Sequence, residues 1–147
     1  MTWFWVLFAT VVGSLLAVQP TLNAEAGRHL GGPLAAAALN FITGLIALLG
    51  LLFVLRGGLP SAAAVRAIPW WGWCGGLIGA TFVASAAFLA PRIGVAALIA
   101  SILCGQLAAS VIIDHFGLFN VAIREASLVR VAGVVMAAAG VVLVTRY

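Results

Sequence analysis

The sequence predicts an all-α polytopic membrane protein with five transmembrane helices in a single membrane domain, residues 1–147. Three observations predict it. Hydrophobic residues make up 65% of the chain and charged residues only 7%, whereas a soluble domain carries about a quarter charged residues. The apolar residues fall into five runs of about the 20 residues that a helix needs to cross hydrocarbon. All seven basic side chains are Arg, and they lie in or beside the predicted loops. That placement fits contact with lipid headgroups and control of topology, and it argues against a nucleic-acid partner.

The first span is predicted from Trp3 to Asn23. It is read as a retained helix because no basic segment precedes its apolar run, as a cleaved signal would require. Trp3, Phe4 and Trp5 suit an interfacial belt. Pro20 removes one backbone donor and crowds the carbonyl of Leu16, so a kink or broken turn is expected beside Gln19, with the helix able to continue past it toward Glu25. The first loop is placed at Glu25–Pro33, with Glu25 and Arg28 spaced to pair. The second span runs from Leu34 to Leu55, with Pro33 at its first turn and Asn40 and Thr43 on one face. Arg56, Gly57, Gly58 and Pro60 end it, and a loop containing Arg66 leads to Pro69.

The third span covers Trp70 to Ala90. It opens with Trp70, Trp71 and Trp73, and Gly72, Gly75, Gly76 and Gly79 give two GxxxG spacings, a pattern of close helix contact. Thr81 and Ser85 follow on one face. Pro91-Arg92 is expected to form a very short turn into the fourth span, residues 94–116. There Ser101, Gly105 and Ala109 form a small-residue face, Gln106 lies in mid-span, and Asp114-His115 is the one acid–imidazole pair. A longer loop from Gly117 to Val129 carries Arg124 and Glu125, with Arg130 just beyond it. The fifth span is predicted from Val131 to Thr145, with Arg146-Tyr147 anchoring its end. Cys74 and Cys104 fall inside spans without metal-like neighbours and are read as small core residues.

Five spans put the termini on opposite faces of the membrane. Arg56, Arg66, Arg124 and Arg130 then share the N-terminal face, against Arg28, Arg92 and Arg146 on the other. So small a difference does not fix the orientation. It leaves open insertion both ways with antiparallel pairing, or pairing with a differently biased partner.

Counting 1.5 Å per residue, Gln19, Asn40, Ser85 and Ser101 fall roughly 7–11 Å from one end of their helices. Thr43 and Thr81 lie slightly deeper, and Gln106 is near the midplane at roughly 18 Å. Buried polar groups need partners, so two readings stand. The groups either converge on a polar cavity for a substrate, or they tie helices together. The candidate lining residues are Gln19, Asn40, Gln106, Thr43 and Ser85, with Trp70 or Trp71 as an aromatic wall. Glu25, Asp114 and His115 are the candidates for a proton or ion role, since His titrates near neutral pH. No acid lies deep in a span, where proton-coupled carriers usually keep one. No nucleophile triad, CxxC, P-loop or HExxH is present. An enzyme, a metal site and a cofactor are therefore not expected.

The runs AVQPTLNAEAGRHLGGPLAAAALNF, PWWGWCGGLIGA with APRIGVA, CGQLAASVIIDHFGLF and RVAGVVMAAAGVVLV resemble a single family across nearly the whole chain. It is the small five-helix bacterial branch of the drug/metabolite transporter superfamily, whose members carry a domain of unknown function. The resemblance implies small-molecule transport across the bacterial cytoplasmic (inner) membrane. It also implies half of an inverted-repeat transporter fold, since larger relatives are built from two such halves. Four-helix relatives are antiparallel dimers with a first-span glutamate that binds proton or cation. Here Gln19 is the large polar group of that span, so the exchange mechanism does not carry over. Topology agrees: duplicating an odd number of spans inverts the second copy, and a single unit must obtain its other half by dimerising. The expected function is thus a small-molecule transporter, acting as a homodimer or with a paired paralogue. Its action would be alternating access around an uncharged polar site. The alternative is a non-transporting membrane subunit that stabilises or regulates another carrier.

Overall fold

The computed structural model describes residues 2–146, so Tyr147 and its expected anchoring role lie outside the described residues. The long helices are α1 (Thr2–Leu30), α2 (Pro33–Arg56), α4 (Cys74–Ile93), α5 (Val95–Phe116) and α6 (Leu128–Arg146). A short helix α3 (Ala62–Arg66) and two 3-10 turns, Trp70–Trp73 and Leu118–Asn120, fill the connections. Among the described residues, five helices are long and apolar enough to cross a membrane: the four longest α-helices other than α4, and α4 together with its leading Trp turn.

Helix α1 departs from expectation. It continues unbroken through Pro20 to Leu30, so Glu25, Arg28 and His29 are helical, and the loop shrinks to Gly31-Gly32. Ala24 and Ala26 favour helix, and Glu25 pairs with Arg28 and contacts His29 one turn on. Nothing stops the helix until Gly31, whose φ of +83° is easy only for glycine. The turn into α5 also differs. Helix α4 runs through Pro91-Arg92 to Ile93, and the break between the two helices falls on Gly94 at φ +80°. Its neighbours Ile93 and Val95 are β-branched and resist that conformation.

Side-chain caps set two other boundaries. Ser61 accepts a hydrogen bond from Ala64 N–H at 3.2 Å and starts α3, which hydropathy did not predict. Ser127 accepts one from Arg130 N–H at 3.3 Å, so α6 begins at Leu128, three residues before the expected start.

The chain divides into two compact units, Met1–Pro91 and Arg92–Tyr147. In the first, α1 packs on α2, and its buried residues are Pro20, Asn23, Gly27, Ala36, Ala37, Val83, Ala86, Ala87 and Ala90. Small side chains predominate because lipid is as apolar as leucine, leaving packing and hydrogen bonding to hold membrane helices together. The large apolar side chains of the spans, among them Leu15, Leu45, Phe53 and Leu77, point outward. In the second unit α5 packs on α6.

Candidate functional site

The site is built from the α1–α2 turn. Gly32 N–H donates to Gly27 carbonyl at 2.8 Å. A side chain at Gly27 would put its Cβ 3.2 Å from the Gly32 carbonyl oxygen, so the backbones approach closely there. Eight residues back along α1 and eight forward along α2, Gln19 Nε2 donates to Asn40 Oδ1 at 3.1 Å, in a half-buried setting. These two contacts fix one antiparallel register. Four residues from either contact, that register sets Asn23 opposite Ala36, and both are buried.

Asn23 is only 7% exposed. Among the described residues its side chain makes no hydrogen bond, yet no buried polar atom is wholly sealed without a partner. Sequence reasoning placed Asn23 at the end of the first span and missed it. The available signal was its spacing of four from Gln19, which puts both amides on one helical face.

The other candidates separate. Thr43 Oγ1 donates to the carbonyls of Leu39 and Asn40 at 3.0 Å each, and Thr81 donates to Leu77 carbonyl at 2.9 Å. Both hydroxyls are therefore satisfied within their own helices. Ser85 lines a groove of about 400 Å³ between α2 and α4, with Pro33, Leu34, Ala84, Phe88 and Leu89. A neighbouring groove is lined by Leu34, Ala37, Ala38, Phe41, Ala80, Thr81 and Ala84. Phe41 lies against Gly79, where an added Cβ would stand 3.2 Å from the ring. Of the four glycines in the GxxxG pattern, Gly79 alone meets another helix, Gly72 faces Ile68 of its own segment, and Gly75 and Gly76 face open space. Trp70 and Trp71 open the same segment, roughly 15 Å along the axis from Gly79 on a helical rise.

In the second unit, Gln106 is exposed on α5, and its amide makes no hydrogen bond among the described residues. A side chain at Gly105 would meet open space.

The remaining candidates sit among charges at helix ends. Glu25 contacts Arg28 and, at 3.2 Å, His29 Nε2, on the exposed end of α1. Asp114 pairs with Arg130, which also donates to Arg124 carbonyl at 3.0 Å. Arg124 N–H donates to Asp114 carbonyl at 2.9 Å, and Ala126 N–H donates to His115 Nδ1 at 3.2 Å. Asp114 and His115 thus clip the 117–127 loop to the end of α5. The Asp114–Arg130 partnership, across 16 residues, has no local spacing that would reveal it.

The comparisons with known proteins agree with this architecture. Residues 4–143 match the family described as "Putative inner membrane exporter, YdcZ". The chain belongs to that family. It is 27% identical to the inner membrane protein YdcZ of Escherichia coli strain K12 over 139 residues, covering 95% of this chain and 93% of that relative. No solved structure matches the chain. With its five apolar helices, the chain is a multi-pass protein of the bacterial inner membrane, in a family of membrane transport proteins.

Proposed function

We propose that this protein exports a small molecule across the inner membrane by alternating access, around an uncharged polar site on the α1–α2 hairpin. The observation that carries the reading is the Gln19–Asn40 hydrogen bond, made between two spans by amides rather than by ionised groups. A polar pair inside a span requires a reason, because unpaired amides are costly in hydrocarbon. Export is the activity named for the family. The charged clusters at Glu25 and Asp114 are engaged with local basic partners at helix ends, so coupling through a deep carboxylate is not part of the proposal.

A second copy, inserted antiparallel, completes the transport path. The exposed Gln106 amide supports this, since a span facing lipid with an unpaired amide is stabilised when a partner helix covers it. Alternating access then rocks one copy against the other.

Comparing solutes released by cells expressing the wild type and the Asn40→Leu variant, at equal membrane abundance, tests the activity. The wild type releases at least one small solute faster, and the variant loses that release. Equal release from both removes the α1–α2 site. Gln106→Cys in a background carrying Cys74→Ala and Cys104→Ala tests the pairing. A disulfide-linked dimer in native membranes supports it, and a monomer under oxidation overturns it.

A further inference from the structure

We propose that Asn23 is a third binding amide of the α1–α2 site, and that the site takes neutral, hydrogen-bonding small molecules such as polyols, amides and ureas. This deepens the exporter reading and rests on it. The register set by the Gly27–Gly32 and Gln19–Asn40 contacts turns Asn23 toward α2. The same register sets Ala36 opposite it, and a methyl group offers no hydrogen bond. Asn23 is more than nine-tenths buried and has no partner among the described residues. A buried amide left unpaired costs the fold stability, and no packing need explains it, because Leu would fill similar space. Its atoms are not wholly sealed, so they stay within reach of a water-sized group.

One helical turn away, the Gln19–Asn40 bond uses one N–H of Gln19 and Oδ1 of Asn40. Gln19 Oε1 and both Asn40 N–H groups remain for a ligand. Asn23 adds an oxygen acceptor and two N–H donors to the same seam. The result is a short ladder of donors and acceptors on two facing helices. No charged side chain belongs to it, since Glu25, Arg28 and His29 pair with one another at the exposed helix end. An ion entering the ladder would shed water without meeting an opposite charge, which is strongly unfavourable. A neutral solute exchanges its water hydrogen bonds for amide ones.

The test uses the full-length protein in detergent and compares wild type, Asn23→Leu and Asn40→Leu. Without solute, Asn23→Leu should melt at or above the wild-type temperature, since it removes an unpaired amide. Melting clearly below the wild type means that Asn23 has a partner in the fold, and overturns the proposal. The probe is erythritol, with tetramethylammonium and acetate as charged counterparts, each read by the shift in melting temperature with concentration. Erythritol should raise the wild-type melting temperature beyond the general polyol stabilisation that Asn23→Leu also shows, the ions should not, and Asn23→Leu should weaken the apparent affinity at least about tenfold. Binding of the ions alone, or of none of the probes, overturns the neutral-solute assignment. If Asn40→Leu abolishes the shift and Asn23→Leu leaves it intact, the Asn23 assignment fails and the α1–α2 site stands. If both variants bind like the wild type, the site itself fails.

Discussion

The α1–α2 and α5–α6 hairpins solve the same problem with opposite chemistry. The first closes through two glycines and holds uncharged amides along its seam, Gln19 with Asn40, and Asn23, which has no partner among the described residues. The second closes through an 11-residue segment, 117–127, clipped by the Asp114–Arg130 ion pair, the His115–Ala126 bond and the Arg124–Asp114 backbone bond. The difference follows depth. Full charges are tolerated where a helix ends and water is near, and within a span an amide is the strongest polar group that does not demand a counter-ion. A short turn also fixes register tightly, so the first hairpin can place side chains opposite each other over several turns. A long loop needs cross-links at its own ends.

Substitutions sharpen that contrast. The largest stability loss is expected from Asp114→Ala or Arg130→Ala. Their side chains are only 25% and 32% exposed, and removing one strands the other, at about 2 kcal/mol between the surface and buried limits. Thermal melting reads this, and the swapped pair Asp114→Arg with Arg130→Asp should recover part of it. If each single variant melts like the wild type, the clip does not hold the second hairpin.

Gly27→Val comes next in size. Its Cβ would meet the Gly32 carbonyl oxygen, and overpacking of this kind costs about 1–3 kcal/mol. Because the same contact sets the register, this variant should also weaken the Gln19–Asn40 coupling in a double-mutant cycle. Unaltered coupling would separate the turn from the site.

The amide pair itself is worth less. Hydrogen bonds between membrane helices average about 0.6 kcal/mol in such cycles, so Gln19→Leu and Asn40→Leu should melt close to wild type while losing transport. A stability loss large enough to explain the lost transport would reduce the pair to a structural tie. The smallest effect belongs to Thr43→Val and Thr81→Val. Their hydroxyls bond carbonyls of their own helices, and each change should stay within about 0.5 kcal/mol with transport intact. Loss of transport in Thr43→Val would return Thr43 to the site.

Much of this architecture was legible in the residues. Long apolar runs announced the five spans, and the arginines marked their ends. Asn40 and Gln19 stood out because large amides are rare in such runs. Other features were obscured for physical reasons. Pro20 reads as a break in water, but α1 passes through it and stops only at Gly31-Gly32. Pro91 misleads in the same way, and the turn falls on Gly94. Asn23 was hidden by its position, since an amide at the edge of an apolar run looks like the start of a loop. Trp70 and Trp71 were grouped with the amides by residue type, and the helix carries them roughly half its length away.

Hydropathy sums over one segment, so composition alone set out five runs long and apolar enough to cross the membrane, with the charged residues near their ends. Which amide meets which is a property of two segments at once. That pairing depends on the register, and the register depends on where two glycines let the chain reverse. Only the folded hairpin could therefore join Gln19 to Asn40, bury Asn23 without a partner among the described residues, and give Asp114 to Arg130.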